Sequence, residues 1–231
     1  MLIRLVKERR PIDYVFFSNT GGASSKGEKK ATYRHIRLMT RWLKSKGYPS
    51  VKTLIYNREG LYQEVLRRES LPSIAFGFKT CSIKWKITPV DRYVAKHLKG
   101  RKLVKYVAYD ASESHRIKDY STEKERVVYP LVEWGMDRFD CMAYIHKAGL
   151  PVPQKSSCFF CPNMKEREIK QLQAAEPDLL EMALNLEKIA LPNLGTVAGL
   201  GRGKRWSEML KQTELFPEED DYDNMPCECA A

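Results

Sequence analysis

The sequence predicts an α/β protein: a Rossmann-like parallel sheet with helices on both faces, followed by a helical C-terminal part. Three observations carry this expectation. Short runs rich in aromatic and β-branched residues, Tyr14–Ser18, Val51–Tyr56 and Leu103–Ala108, alternate with longer amphipathic stretches. Gly or Pro stands at the joins, as at Gly21, Gly22, Gly47, Pro49 and Gly100. At 43% hydrophobic residues the chain can bury a full core, which strands joined through helices require on both faces.

Each element follows from its own pattern. Leu2, Leu5 and Val6 give residues 1–9 a helical repeat. Tyr14–Ser18 reads as a buried strand running into the turn Asn19-Thr-Gly-Gly22. Ile36, Met39, Trp42 and Leu43 mark a long helix over residues 30–47, ended by Gly47 and Pro49. Val51–Tyr56 is the next strand, and Leu61 to Arg68 is helical. Pro89 opens a helix that runs to Leu98 and stops at Gly100. Leu103–Ala108 is the third strand, with Asp110–Arg116 beyond its carboxyl end. Residues 126–130 are a short extended piece. Asp137 caps a helix reaching His146, and residues 165–189 read as helical. In such sheets ligands sit beyond the carboxyl ends of the strands, so the segments after the first and third strands are where a site is expected.

Bulk properties narrow the classes further. At 231 residues the chain is one large domain, or one domain with an appendage. No apolar run approaches the roughly 20 residues of a membrane span, and the charged start does not read as a signal peptide, so a cytoplasmic protein with no membrane partner is expected. Net charge is +11, yet residues 214–231 hold seven acids and no Lys or Arg, which leaves the remainder at +18. Such a body attracts polyanions, either nucleic acid or the phosphates of a nucleotide. Six cysteines in a reducing compartment point to metal or redox work rather than a disulfide framework.

The densest chemistry lies in Lys155-Ser-Ser-Cys158-Phe-Phe-Cys161-Pro162, with Cys81 far upstream in Cys81-Ser-Ile-Lys-Trp-Lys-Ile-Thr-Pro89. Two thiolates at i and i+3 converge on one metal with little strain, and distant cysteines can complete an all-sulfur shell. All-sulfur ligation suits an iron–sulfur cluster or zinc, and buried free thiols are the remaining reading. Gly195-Thr-Val-Ala-Gly-Leu-Gly-Arg-Gly-Lys-Arg-Trp206 fails as a phosphate loop, because Ala198 stands where Gly is needed and Arg205 where a hydroxyl would hold magnesium. It is expected to be a flexible basic loop against a nucleic-acid backbone, with Trp206 free to stack on a base.

Taken in order, several segments resemble the phosphoadenosine phosphosulfate reductase family of adenine-nucleotide alpha-hydrolase-like folds, and in particular its short phage and prophage members. The matching pieces are Phe16-Phe-Ser-Asn-Thr-Gly21, Cys81–Pro89, Ala108-Tyr-Asp-Ala-Ser-Glu-Ser-His-Arg116, Val128-Tyr-Pro-Leu-Val-Glu-Trp-Gly135, Asp140–Pro153 and Ser156-Ser-Cys-Phe-Phe-Cys-Pro162. They cover most of residues 1–190, which become the reductase-like domain. Residues 191–231 become a basic Gly-rich loop, a short helix and an acidic, Cys-containing tail. The family opens with a strand and a Ser-Gly-Gly-x-x-Ser phosphate loop. Here Met1 falls where that loop would just have ended, so the chain is expected either to be truncated or to have lost it. Thr20-Gly-Gly-Ala-Ser-Ser25 imitates the motif but aligns better with the family's second-strand Asp-Thr-Gly segment.

The resemblance implies roles residue by residue. Asn19, Thr20, Gly21, Gly22, Glu113, Ser114 and Arg116 would face an adenine nucleotide, and His115 would serve as acid or base. Asp110 stands where the family usually carries a basic residue. Cys81, Cys158 and Cys161 match ligands of an iron–sulfur cluster, with zinc the alternative. The family's Cys-Cys pair is Thr80-Cys81 here, so Cys141 is expected as the fourth ligand, with Cys227 or Cys229 as substitutes. Lys84 and Lys86 would steady the charge of thiolate or cluster. Cys227 or Cys229 would be the mobile C-terminal nucleophile. The implied activity is sulfonucleotide reduction, or ATP-dependent sulfur insertion into DNA or RNA. The alternative is a non-catalytic nucleotide- or DNA-binding protein that has lost the phosphate loop.

Overall fold

The computed structural model describes residues 1–24 and 26–211. Cys227 and Cys229, named above as nucleophiles, lie outside the described residues. The chain opens with helix α1 (Leu2–Lys7), which turns Ile3, Leu5 and Val6 inward. Strand β1 (Val15–Ser18) follows, then helix α2 (Lys30–Ser45) and strand β2 (Val51–Leu54). β1 and β2 pair in parallel, Val15 opposite Val51 and Ser18 opposite Leu54, so α2 is the crossover helix that a parallel pair requires. Helix α3 (Leu61–Arg67) comes next, and a continuous helical stretch runs from Thr80 to His97, α4 (Thr80–Ser82) leading through a π turn into α5 (Thr88–His97). Strand β3 (Leu103–Tyr106) pairs in parallel with β4 (Glu125–Val128) across a 3₁₀ turn at Ala111–Arg116, and α6 (Pro130–Glu133) and α7 (Arg138–Lys147) follow. Among the described residues no helix is long and apolar enough to cross a membrane.

The strands are parallel and joined through helical segments, as an α/β chain demands, but they form two two-stranded sheets rather than one. The edges of β1 and β3 face a shared apolar cleft of about 570 Å³, walled by Leu2 and Leu5 of α1 and by Val90, Val94 and Leu98. The strands are only half-buried, and the principal core is helical instead. It gathers Leu61, Tyr62 and Val65 of α3 with Trp85, Phe159 and Phe160. Against them pack Ile169 and Leu172 of α8 (Glu166–Ala175) and Leu179, Leu180, Ala183, Leu186 and Ala190 of α9 (Pro177–Ala190).

Three differences from the sequence expectations have local causes. The helix expected over residues 165–189 is two helices. Pro177 brings no amide hydrogen, and Glu176 before it is pushed to φ −146°, which breaks the repeat. The Glu176 carboxylate then accepts from the Lys30 amide at 2.9 Å, so one helix break caps the start of α2. The helix expected from Pro89 begins nine residues earlier, at Thr80, and contains a π turn over Ile83–Ile87. Trp206 is not free to stack on a base: it is fully buried. The loop before it is folded onto the Glu187 carboxylate, which accepts from the amides of Leu200 and Trp206 at 2.9 Å each and of Ser207 at 3.3 Å. A buried carboxylate with that many donors fixes a segment that its glycines alone would have left loose.

Candidate functional site

At the carboxyl end of β1 the chain makes a tight, fully hydrogen-bonded turn. Asn19 extends the sheet through its amide to the Leu54 carbonyl at 2.8 Å. Its side chain donates to the Gly22 carbonyl at 2.8 Å, while its oxygen accepts from the Gly21 amide at 3.0 Å and from the Tyr33 hydroxyl at 2.8 Å. The Tyr33 oxygen in turn accepts from the amides of Gly27 and Glu28 at 3.1 and 3.2 Å. The Ala23 amide goes to the Arg58 carbonyl and the Leu61 amide to the Thr20 carbonyl. Asn19, Thr20, Gly21 and Gly22 are therefore assembled at the expected sheet end, with these polar groups spent on the turn itself.

The turn presents Thr20 to the Cys-x-x-Cys segment. Glu28 pairs with Cys158 in a short antiparallel bridge, and the Phe159 amide donates to the Gly27 carbonyl at 3.2 Å. Lys155, preceding this segment, is tied to the buried Glu168 carboxylate of α8 at 3.3 Å. Cys158 and Cys161 then close a tight turn, amide to carbonyl at 3.1 Å. The Cys158 sulfur lies 3.3 Å from the Thr20 hydroxyl, and that hydroxyl lies 3.4 Å from a Glu28 carboxylate oxygen. Cys81 packs on the same apolar cluster as Cys158 and Cys161, its sulfur 2.9 Å from the Ser73 hydroxyl. Three segments far apart in sequence thus meet beside the end of β1.

The electrostatics of this group are those of a dry interior. Burial, then the Glu28 carboxylate, push the Cys158 thiol far up, so it holds its proton at neutral pH; Lys86 and the Thr20 hydrogen bond oppose this, and Cys81 adds to it. Burial likewise raises the Glu28 carboxyl, against the pull of Lys86, Thr20 and Lys29. Glu28 is only 4% exposed, and its second oxygen has no hydrogen-bond partner among the described residues. The two lysines beside Cys81 separate in role. Lys84 is held by both Glu64 oxygens at 2.6 and 2.7 Å, whereas Lys86 sends its charge toward Glu28 and Cys158. Glu28 and Ser73 escaped the sequence reading, since a Gly-Glu-Lys-Lys run reads as solvated loop and Ser73 belongs to no motif.

A pH dependence follows, and its sign is fixed. A carboxyl raised on folding stabilises fully below its ordinary pKa and loses that contribution as pH rises through the folded value. Glu28→Gln keeps the shape and never ionises. We expect its stability advantage over the native protein to widen by about 1.4 kcal/mol per pH unit above the ordinary carboxylate range, until the folded value is reached. Urea denaturation at pH 4.5, 6 and 7.5 measures this, and parallel curves for the two proteins would refute it.

Cys141 does not join the group. It lies on α7 (Arg138–Lys147), where burial raises its thiol and its charged neighbours are the Met1 amino group, Asp110, Asp140 and Asp137. Among the described residues no three His, Cys, Asp or Glu side chains converge as a metal shell.

The segment beyond β3 forms a second, separate knot. Asp110 caps the 3₁₀ turn, accepting from the Ser112 amide at 3.0 Å and hydroxyl at 2.6 Å. Glu113 forms an ion pair with Arg116, whose guanidinium stacks 4.5 Å over Tyr109, itself stacked on Tyr129. Asp110, where a basic residue was expected, is thus a cap, and Arg116 is already paired with a carboxylate. Ser114 and His115 are exposed on the outside of the turn.

Compared with known proteins, the chain matches no family model, no curated protein and no solved structure.

Proposed function

We propose that the chain is a phosphoadenosine phosphosulfate reductase-like enzyme that binds an adenine nucleotide and carries out thiol-based sulfur chemistry. In this reading residues 1–190 are a Rossmann-like nucleotide domain. The observation that supports it most is the meeting of Cys81, Cys158 and Thr20 at the carboxyl end of the parallel β1–β2 pair. Cys158 and Cys161 are buried, whereas Cys81 is partly exposed in the first turn of the Thr80–His97 helical stretch. Of the three thiols grouped here, Cys81 is therefore the one that a substrate reaches, with Cys227 and Cys229 as the candidate C-terminal nucleophiles. Two chemistries share this layout: reduction of a sulfonucleotide with release of sulfite, and ATP-dependent sulfur insertion into nucleic acid. An iron–sulfur or zinc centre on the thiols of Cys81, Cys158 and Cys161 belongs to this proposal. Iron with acid-labile sulfide, or zinc, in anaerobically purified protein is its measure.

The test is direct. Sulfite release from the sulfonucleotide, and AMP formation from ATP with DNA present, are assayed on native protein, on Cys81→Ser and on Cys141→Ser. We expect Cys81→Ser to lose at least about 100-fold in whichever reaction is found, a loss typical of a group acting directly in the chemistry. Cys141→Ser should stay within about threefold, because it lies in a different neighbourhood. Equal activity of Cys81→Ser and native protein would remove the thiol proposal. One observation favours the second reading, a non-catalytic nucleotide- or DNA-binding protein: the backbone donors of the turn after β1 are already occupied internally. Binding of DNA with steep salt dependence, and no retention of ATP, would select that reading.

A further inference from the structure

The outer face of α2 carries a row of cations. Arg34, Arg37, Arg41 and Lys44 are all exposed, and their spacing of three, four and three residues puts them within one arc of the helix. Met39 and Leu43 are buried on the opposite side. At 1.5 Å per residue the row is about 15 Å long. α2 contains no acidic residue, and none of the four cations makes an ion pair or hydrogen bond among the described residues. Lys30, in line with them, shows the contrast: Asp178 holds it at 2.7 Å.

This row ends at a pocket. A cavity of about 610 Å³ lies between α2 and residues 151–156, with Arg34 on its wall and Phe17 of β1 among its lining. Pro151 and Pro153 supply flat apolar surface, and Thr32 and Gln154 supply donors and acceptors. That volume suits a small planar ligand, with hydrogen-bonding groups to orient it. Three of the four cations are Arg, the side chain whose planar fork matches phosphate oxygens in pairs.

We infer that α2 is a binding face for single-stranded nucleic acid: successive phosphates lie along Arg34, Arg37, Arg41 and Lys44, and one unstacked base enters the adjoining pocket. This rests on, and deepens, the nucleic-acid branch of the proposed function. A single strand is favoured over a duplex because a paired base cannot leave its stack for the pocket without cost, and a row of cations beside one apolar pocket is the pattern of single-strand binding.

Anisotropy titrations with a labelled 12-nucleotide single strand test it. Four phosphate contacts predict that affinity falls about 50-fold between 50 and 200 mM salt. Arg37→Glu with Arg41→Glu should weaken binding at least tenfold at the lower salt and flatten the salt dependence. Lys96→Glu with Lys99→Glu, the same charge change on exposed residues at the end of the Thr80–His97 stretch and just beyond it, should stay within about threefold. An oligonucleotide of abasic sites, which keeps the phosphates, should bind at least about fivefold more weakly, the loss of one buried base. No binding by native protein, equal losses in the two double variants, equal affinity for the abasic strand, or tighter binding of a duplex or of an acidic peptide would each overturn the inference. AMP formation from ATP at saturating DNA, measured on the α2 double variant, separates the two proposals. Weakened strand binding with AMP formation retained at saturation supports this face and leaves the thiol chemistry standing, whereas a strand that binds normally to the α2 variant sinks the face alone.

Discussion

Replacing Phe160 with alanine is expected to destabilise the protein by about 3–5 kcal/mol, the range for removing a buried aromatic ring from a close-packed core. Phe160 has no exposed surface. Its ring lies 4.8 Å from Phe159 and 5.3 Å from Tyr62 in edge-on or near edge-on contact, a geometry that adds to the simple burial of area. Tyr62 belongs to α3 and donates its hydroxyl to the Met182 carbonyl of α9 at 3.0 Å, so the ring cluster is tied to both helices. Whole domains are stable by only about 5–15 kcal/mol, so this one change consumes a large share. It would also loosen Cys158 and Cys161, which flank the two phenylalanines. Guanidinium denaturation measures the shift. Val152→Ala, at a residue 39% exposed, serves as the reference and should cost less than about 1 kcal/mol. A Phe160→Ala loss no larger than the reference would show that the aromatic cluster is not the core.

Gly60→Ala should be nearly as damaging, for a different reason. A Cβ at position 60 would stand 2.5 Å from the Gly21 carbonyl carbon and 2.6 Å from its oxygen, both backbone atoms that cannot swing aside. Position 60 also has φ +84° and ψ 163°, a backbone region essentially open to glycine alone. Overpacking costs about 1–3 kcal/mol and such a backbone about 1–3, so a loss of about 2–6 kcal/mol is expected. Gly77 is a reference for backbone strain without crowding: it is left-handed at φ +83° and ψ −1°, and a Cβ there meets nothing within 4 Å. Gly77→Ala should therefore cost only the backbone part. Equal losses at the two positions would mean that the close approach of residues 20–22 to residue 60 carries no energy. Because the Leu61 amide donates to the Thr20 carbonyl at 2.7 Å, Gly60→Ala should also displace Thr20 from Cys158 and lower any activity that depends on their contact.

The legibility of this chain varied with the range of the interaction concerned. Strands β1, β2 and β3 were readable because runs such as Tyr14–Ser18 carry their pattern in adjacent residues, although each proved a residue or two shorter than expected. The long helix α2 was readable for the same reason, with its buried Met39 and Leu43. The start of the Thr80–His97 stretch was not, because a π turn over Ile83–Ile87 interrupts any 3.6-residue repeat there. Cys81, Cys158 and Cys161 could be singled out by residue type and spacing. Their shared neighbourhood, and the exclusion of Cys141 from it, could not. Trp206 read as a free aromatic in a glycine-rich loop, since the Glu187 carboxylate that gathers that loop lies nineteen residues away.

By itself the amino-acid order determined where helices and strands form, which thiols are worth watching, and that the body is strongly basic, since periodicity, composition and charge are properties of neighbouring residues. Only the tertiary structure decided that the strands pair as two separate parallel sheets, that Glu28 is buried beside Cys158, and that the unpaired cations of α2 border a pocket. Those facts depend on contacts between segments tens of residues apart, and the energy of such contacts exists only once the chain has folded.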